Sequence, residues 1–301
     1  MRSNAAYREL WQRTWKFSAN ERFCSKHWQE KEINDTSWNL SVGCTQSCTR
    51  EAKNNFKISG GITLYSAIMK IWKTKNGFKV IKILSGRSNV FLVTNGKKNI
   101  LVDTSPTRKW SKLDRNLKSF NVSKIDLLIL THTHYDHVEN AFRVKKNYGV
   151  QVFVHQEEEY FIRTGKNKFP SGTNLFTRFL VRTLGAMLSN KFNFSPCQPD
   201  VIIDSVFSLK KYGLNAYLLP TPGHSAGSIS LIVDNEIAIV GDALFGVFKN
   251  SVFPPFADDI KTLVKSWGKL LETDCSLYLP AHGSVKTKEE VQQEFNRRKN
   301  R

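Results

Sequence analysis

The sequence has no long hydrophobic run. No stretch approaches the 18 or so consecutive apolar residues that a membrane-spanning helix needs. The first four residues, Met1 to Asn4, are not followed by the apolar segment that a secretory signal carries. We therefore expect neither a transmembrane helix nor a secretory signal.

Cysteine is also scarce. The 301 residues include five cysteines, an odd number: Cys24, Cys44, Cys48, Cys197 and Cys275. Secreted disulfide scaffolds usually carry an even, closely spaced set. Cys44 and Cys48 have no histidine near them, which is too little for a zinc site. The sequence thus predicts no disulfide framework and favours a reducing compartment, the cytoplasm.

Acidic residues are few relative to basic ones. Lysine and arginine number 45 against 26 aspartates and glutamates, so the formal net charge is +19 and the pI about 9.7. Such a charge suits a polyanion such as RNA, DNA or a membrane surface. However, the lysines are scattered and no Arg-Gly-aromatic motif is present. We expect a small-molecule substrate, and nucleic acid is an alternative partner that we do not favour.

Histidine, by contrast, is concentrated in one place. The nearly continuous apolar run 125–130 predicts a buried strand. Four candidate metal donors directly follow it: His132, His134, Asp136 and His137. Imidazole and carboxylate are the usual nitrogen and oxygen ligands of zinc, and they also suit iron and manganese. The cluster therefore predicts a metal site at the carboxyl end of a central strand.

Three later motifs repeat this arrangement. His224 lies in a Pro/Gly turn between two strand-like runs, and Asp242 and His282 each end an apolar strand. The first cluster and these three motifs together contain five of the seven histidines of the chain. A lone histidine is more often structural, but donors at four strand ends indicate one shared site.

The order His-x-His-x-Asp-His, Gly-His, Gly-Asp and His-Gly resembles the metallo-β-lactamase-fold hydrolase superfamily. The resemblance covers about Phe78 to Val285. It implies an α+β fold, an αββα four-layer sandwich in which two mixed sheets lie face to face, helices cover them and a metal pair lies at one edge. It also implies seven ligands for two divalent ions, most often zinc, with iron or manganese as alternatives: His132, His134 and His224 on one ion, Asp136, His137 and His282 on the other, and Asp242 as a bridge.

The resemblance implies a mechanism as well. A hydroxide shared by the two ions would attack a carbonyl or phosphoryl centre, and the second ion would steady the developing charge. Asp136 would orient the nucleophile in addition to binding metal. Asp103 matches the family aspartate that accepts a hydrogen bond from a ligand imidazole. An ordinary strand-end carboxylate is an equal alternative for Asp103.

Departures from the family pattern reduce the range of candidate substrates. The position of Asp242 holds cysteine or serine in two large β-lactamase classes, which disfavours antibiotic hydrolysis. His134 is not glutamate, which argues against the oxygen-reducing diiron branch. The run Gly241 to Phe245 is similar to glyoxalase II, but the chain ends about twenty residues after His282, which argues against glutathione thioesters. We expect a small ester, thioester or lactone.

Three alternatives stay open. A phosphodiesterase or nuclease with the same metal centre would use the positive charge. A mononuclear iron persulfide dioxygenase would use the same fold for redox chemistry. A metal-binding scaffold without catalysis is the third.

The first 68 residues differ from the rest. They hold four of the seven tryptophans and three of the five cysteines, with little periodicity. We expect residues 1–68 to be a poorly ordered extension, with Met69 as an alternative start, and residues 69–301 to be the hydrolase domain. A small interaction module is the alternative for 1–68.

A helical insertion at about 164–200 interrupts the family pattern. Within 174–192, apolar residues recur every three or four positions and predict one helix face. That face could pack as core, close over the pocket as a lid, or meet a membrane or a second subunit in a homodimer. We adopt the lid as the hypothesis. His155 ends a strand nearby, where a structural role is favoured over a role in the site.

Overall fold

The fold is described from a computed structural model. The structure describes residues 69–300, except for the side chains of residues 184–190. The predicted extension, residues 1–68, lies outside the described residues.

The first sheet has seven strands, whose order in space is their order in the chain. They are β1 (Ile71–Lys73), β2 (Lys79–Leu84), β3 (Val90–Thr94), β4 (Asn99–Val102), β5 (Leu127–Ile129), β6 (Gln151–His155) and β7 (Val201–Ile203). β1 to β4 form an antiparallel meander, whereas β4 to β7 are parallel. The carboxyl ends of β4, β5 and β6 therefore lie on one edge of this sheet.

The second sheet has six strands in the order β13-β12-β11-β10-β9-β8. They are β8 (Phe207–Ser208), β9 (Ala216–Pro220), β10 (Ile229–Val233), β11 (Ile237–Gly241), β12 (Leu277–Pro280) and β13 (Lys286–Thr287). β9 and β11 are both antiparallel to β10, and β12 is parallel to β11. The carboxyl ends of β9, β11 and β12 consequently share one edge as well.

Seven α-helices lie in the described part of the chain. They are α1 (Trp110–Ser119), α2 (Tyr135–Val138), α3 (Ala141–Tyr148), α4 (Gln156–Thr164), α5 (Leu175–Lys191), α6 (Ile260–Leu271) and α7 (Lys288–Arg298). Side chains cap the starts of α4, α6 and α7. Asp259 caps α6 by accepting from the backbone N–H of Thr262, and Thr287 and Glu290 form a reciprocal capping box on α7.

Three buried clusters separate four layers. The first joins α1 and α3 to the outer face of the first sheet, through Leu113, Leu117, Val144, Leu92 and Leu128. The second fills the space between the sheets, through Phe91, Val93, Ile129, Leu231 and Ile239. The third joins the second sheet to α6 and α7, through Ile232, Val240, Tyr278, Trp267 and Val291. Alternate residues of a strand thus enter different clusters. The predicted αββα sandwich is confirmed.

The dipeptides Asn95-Gly96 and Asp234-Asn235, each between two strand-like runs, predict two tight hairpins, and both are confirmed. β3 and β4 pair antiparallel across Asn95-Gly96, where Gly96 has φ of 84°. β10 and β11 pair across Asp234 and Asn235, whose φ values are 53° and 55°. Two consecutive left-handed residues suit a tight hairpin, and aspartate and asparagine tolerate that conformation better than other side chains.

The predicted insertion helix is confirmed as α5, the longest described helix with 17 residues. The first turns of α5 are exposed: Leu175, Phe176 and Phe179 expose 85%, 59% and 67% of their surface. The helical period was correct, but period does not fix which face finds a partner. No helix in the described part of the chain is long and apolar enough to cross a membrane.

Candidate metal centre

The seven predicted ligands all follow the carboxyl ends of strands, on one edge of the sandwich. Four follow β5, and the other three follow β9, β11 and β12: these are His132, His134, Asp136 and His137, then His224, Asp242 and His282. The two sheets are joined at this edge because the backbone N–H of Ile229 donates to the carbonyl of Thr131 at 2.9 Å. The loops of both sheets therefore converge.

The ligand atoms form three overlapping groups. In each group the atoms lie within 4.8 Å of one another, and every member is buried: the groups are His132, His134 and His224; His132, His137 and Asp242; and Asp136, His137 and His282. Because His132 and His137 each belong to two groups, the groups make one continuous cluster.

Asp242 lies between the histidines of the two sheets. Its Oδ2 is 3.2 Å from His282 Nε2 and 3.5 Å from His224 Nε2, and its Oδ1 is 3.6 Å from His137 Nε2. On the other side, His224 Nε2 is 2.9 Å from His134 Nδ1. One carboxylate thus faces three imidazoles, which is the placement that a bridging ligand requires.

Several of these atoms are shielded from solvent and make no hydrogen bond within the described part of the chain. They are His132 Nε2, His134 Nε2, His137 Nε2 and Asp242 Oδ1. Folded proteins leave few buried polar atoms without a partner, because each costs about 1–3 kcal/mol. Imidazole nitrogens and carboxylate oxygens are suitable donors for a divalent metal. The residues present therefore fit a divalent-metal site.

Electrostatics keep three of the rings neutral. Burial, aided by the neighbouring imidazoles, lowers the pKa of His132 and His134 well below its usual value. Burial also lowers the pKa of His224, although Asp242 opposes the shift. A neutral imidazole is the form that binds a metal.

The other two rings sit beside carboxylates. Burial, the largest single effect, lowers the pKa of His137 and His282, but the nearby carboxylates together outweigh it, so the pKa of both rings stands above its usual value. Asp242 acts on both rings, Asp103 adds to the effect on His137, and Asp136 adds to the effect on His282. Burial alone would raise the pKa of Asp242, yet His282 and His137 hold it well below its usual range. A divalent cation competes with protons for these same donors.

Asp103 follows β4 and holds the loop after β5. Its Oδ2 is 2.8 Å from His137 Nδ1, and Thr131 donates its backbone N–H to Oδ1 and its hydroxyl to Oδ2, each at 2.8 Å. Asp103 has a φ of 62°, a left-handed conformation that non-glycine residues seldom adopt. The chain therefore keeps a strained residue where the carboxylate contacts a predicted ligand.

Gly241, at the end of β11, lies in close contact with the loop after β5. Gly241 directly precedes Asp242 and has a φ of 52°, and a Cβ there would lie 2.7 Å from the Cβ and hydroxyl of Thr131. Only glycine combines this backbone conformation with that approach. Gly241 therefore brings Asp242 against the loop of the first sheet.

Arg87 is a neighbour of the site that the motifs did not reveal. Its Nε is 3.6 Å from Asp136 Oδ2, and its guanidinium lies 4.9 Å from the centre of the Tyr135 ring. It is partly exposed, with 27% of its side chain accessible. Arg87 thus places a positive charge beside Asp136. It lies in the β2–β3 loop, 49 positions away in sequence, and no local pattern links the two.

The insertion borders the site through its two ends. Buried Asn167 accepts from the backbone N–H of Tyr135 at 2.9 Å, and Phe192 stacks on the Tyr135 ring with centroids 4.4 Å apart. Residues 171–173 pair with residues 255–257, where the carbonyl of Phe256 lies 2.9 Å from His224 Nδ1. The insertion therefore contacts the loops that carry the candidate ligands of both sheets.

His155 lies outside the ligand groups. Its Nδ1 accepts from the backbone N–H of Glu157 at 3.3 Å, so it caps the start of α4. This is the structural role that the sequence favoured.

Comparison with known proteins decides the family. Residues 85–282 match the model of the metallo-beta-lactamase superfamily. The chain belongs to this superfamily. The match spans every candidate ligand, from the loop before β3 to His282. With the buried His/Asp cluster, membership identifies the chain as a metal-binding hydrolase of the superfamily.

Two relatives have names that state a reaction. The hydroxyacylglutathione hydrolase GloC of Haemophilus influenzae is 29% identical over 214 residues, which are 69% of this chain and 92% of GloC. The atrochrysone carboxyl ACP thioesterase of Aspergillus fumigatus is 24% identical over 238 residues, which are 74% of this chain but 62% of the thioesterase. Among solved structures, the BLEG-1 B3 metallo-beta-lactamase has a TM-score of 0.55 at 20% identity and covers 72% of this chain and 96% of its own. It shows the shared fold.

Proposed function

We propose that this chain is a dinuclear metallo-hydrolase that cleaves a small thioester or a related ester or lactone. The observation that carries the proposal is the buried cluster of seven donors, in which two three-residue groups flank the carboxylate of Asp242. Four buried atoms of this cluster, His132 Nε2, His134 Nε2, His137 Nε2 and Asp242 Oδ1, make no hydrogen bond within the described residues, and few structural roles account for such a concentration.

The grouping supports one assignment of ligands. His132, His134 and His224 would hold one ion, and Asp136, His137 and His282 the other, with Asp242 between them. Zinc suits this set of imidazoles and carboxylates best, and iron or manganese would also fit. Two such ions, when bound, lower the pKa of a shared water and polarise the carbonyl of the substrate.

The residues of the chain supply orientation and charge. Asp136 lies at the edge of the cluster, with Oδ2 3.8 Å from His282 Nε2, so its carboxylate can accept a hydrogen bond from the attacking water. Arg87 beside it adds a positive charge where the tetrahedral intermediate gains negative charge. The water oxygen bonds to the carbonyl carbon, the C–S or C–O bond breaks, and the products are an acid and a thiol or alcohol.

The relatives support a thioester. One is named for hydroxyacylglutathione and the other is named a thioesterase. This chain matches 92% of GloC, so its length after His282 is no argument against a glutathione thioester. We therefore place thioesters ahead of oxygen esters and lactones.

A substrate panel with metal analysis on the same sample tests the proposal. Acyl thioesters, p-nitrophenyl esters and bis-p-nitrophenyl phosphate should be compared under saturating zinc. We expect turnover of thioesters to exceed turnover of the phosphodiester by at least about 100-fold. Preference for the phosphodiester would replace the proposal with a nuclease or phosphodiesterase, and oxidation of persulfide by a protein with one iron would replace it with a dioxygenase.

A further inference from the structure

Two threonines alternate with two candidate ligands in the segment 131–134, and each threonine donates to its own buried carboxylate. Thr131 donates its N–H and hydroxyl to Asp103. Thr133 donates its N–H to Oε2 of Glu158 at 3.0 Å, and its hydroxyl to the same oxygen. The His-x-His segment is therefore fixed at both threonines, by carboxylates from different elements.

The second oxygen of Glu158 reaches a different loop. Its Oε1 accepts the backbone N–H of Gly227 at 3.2 Å. Gly227 lies three positions after His224, in the loop that follows β9 of the second sheet. One carboxylate thus joins the loop of His132 and His134 to the loop of His224.

The packing around Glu158 leaves little freedom. Glu158 is 3% exposed and Thr133 is 2% exposed. A Cβ at Gly227 would lie 2.5 Å from Glu158 Cγ, so the approach of α4 to this loop requires glycine. The sequence shows only three consecutive glutamates opening a helix, of which Glu157 is exposed, whereas the middle one, Glu158, is turned inward.

We propose that Glu158 is a positioning residue for the group His132, His134 and His224. By binding both loops it fixes the distance between them, and this distance sets the affinity of one of the two metal sites. The hydrogen bonds of Glu158 go to the two loops that carry the first group, so the affinity of the group Asp136, His137 and His282 should be independent. The inference rests on the metal roles given under the proposed function.

The test is the substitution Glu158→Gln, which keeps the shape of the side chain but replaces one acceptor by an N–H₂ group. That group would face an N–H donor of one loop or the other. The matched control is Glu157→Gln, one position away on the same helix turn and exposed to solvent. Metal-free proteins are titrated with Zn²⁺ alone, in competition with a chromophoric chelator.

We expect the wild type and Glu157→Gln to bind two equivalents with the same affinities. Glu158→Gln should bind one equivalent about 10- to 100-fold more weakly, the usual effect of removing a group that orients metal ligands, and the other equivalent normally. Its kcat should fall at low zinc and recover as zinc is raised. A merely structural role would reduce the folded fraction at every zinc concentration and show no such recovery.

Thr133→Val provides a second variant should Glu158→Gln fail to fold. It removes only the hydroxyl contact, and it should weaken the same equivalent by a smaller factor. Unchanged affinities in both variants, or equal weakening of both equivalents, would overturn the role of Glu158 alone. A wild type that binds no zinc would overturn the proposed function, and with it this inference.

Discussion

Oδ2 of Asp103 lies 2.8 Å from Nδ1 of His137, although the two residues are 34 positions apart. The same carboxylate accepts both donors of Thr131. Asp103 is therefore the point at which the end of β4 is tied to the loop after β5. A hydrogen bond to one nitrogen of an imidazole fixes which way its other nitrogen faces.

This relationship predicts that Asp103 controls metal affinity through His137. Asp103→Asn should lower zinc affinity by about 10- to 100-fold, because the amide cannot reproduce a carboxylate acceptor. Asparagine tolerates the left-handed backbone, so the fold should survive, and Asp103→Ala should be worse on both counts. The control is Asp126→Asn, since Asp126 bonds Asn99 and Lys98 at the opposite end of β5. Equal zinc affinity in Asp103→Asn and wild type would contradict the prediction.

The metal content itself gives the second prediction. Purified protein should hold close to two equivalents of zinc, iron or manganese, measured by elemental analysis. His132→Ala and Asp242→Ala should each lose at least one equivalent. His132 belongs to two of the donor groups, and Asp242 faces imidazoles of both candidate ion sites. His155→Asn is the matched histidine control, since His155 lies outside the ligand groups and caps a helix, a role that asparagine can also fill. A fully active wild type that holds one equivalent of metal or none would contradict the dinuclear mechanism.

Two buried thiols give a prediction about pH. Burial raises the pKa of Cys197 and of Cys275 to about 11, above the value of about 8.5 that an unfolded cysteine shows. Because the folded state holds these protons more tightly, their contribution to stability is complete below pH 8.5 and is lost as pH rises through 11.

The corresponding measurement is alkylation at pH 9, mapped by mass spectrometry. Iodoacetamide should label Cys197 and Cys275 slowly in the folded protein and quickly in urea, because the thiolate is the reactive form. Rapid labelling of both thiols without denaturant would show that neither is buried as described.

Met69 marks where the described fold begins. It packs on the first cluster, Lys70 accepts from the N–H of Lys82, and β1 then pairs with β2. A chain that starts at Met69 keeps these contacts and every candidate ligand, so it should fold and bind metal as the full chain does. Circular dichroism and elemental analysis check this. An insoluble or metal-free product would make residues 1–68 part of the core.

The sequence predicted the parts of this molecule that depend on neighbours in the chain. Three such features are the apolar run of β5, the His-x-His motif and the hairpin at Asn95-Gly96. Each is formed by residues that are neighbours in the sequence, so the sequence pattern alone predicts it. The strand-end positions of the ligands follow directly, because parallel strands deliver their carboxyl ends to one edge.

What the sequence did not reveal depends on distant residues. Glu158, Asn167 and Arg87 approach the ligand-bearing segment only when parts of the chain 25 to 49 positions apart fold together. The strands β1, β7, β8 and β13 have two or three residues each, too few for an alternating pattern to show. For α5, the helical period was visible, but the identity of its buried face was not.

The position of α5 leads to the last prediction. The segments on either side of it contact the loops of Tyr135 and His224, so the helix starts and ends at the rim of the cluster. Its first two turns nevertheless expose Phe176 and Phe179. Exposed aromatic side chains beside a hydrolytic site suit the acyl chain of a substrate.

Replacement of Phe176 and Phe179 by serine should therefore raise KM for long-chain acyl thioesters more than for acetyl thioesters. Loss of about 1–2 kcal/mol of apolar contact corresponds to roughly a 5- to 30-fold rise in KM, with kcat little changed. Stability should be unaffected, because both rings are exposed in the folded state. Phe142→Ser is the control, since Phe142 on α3 is 44% exposed. Equal effects on both substrates would contradict the lid hypothesis. A large drop in melting temperature would show that the helix packs as part of the core.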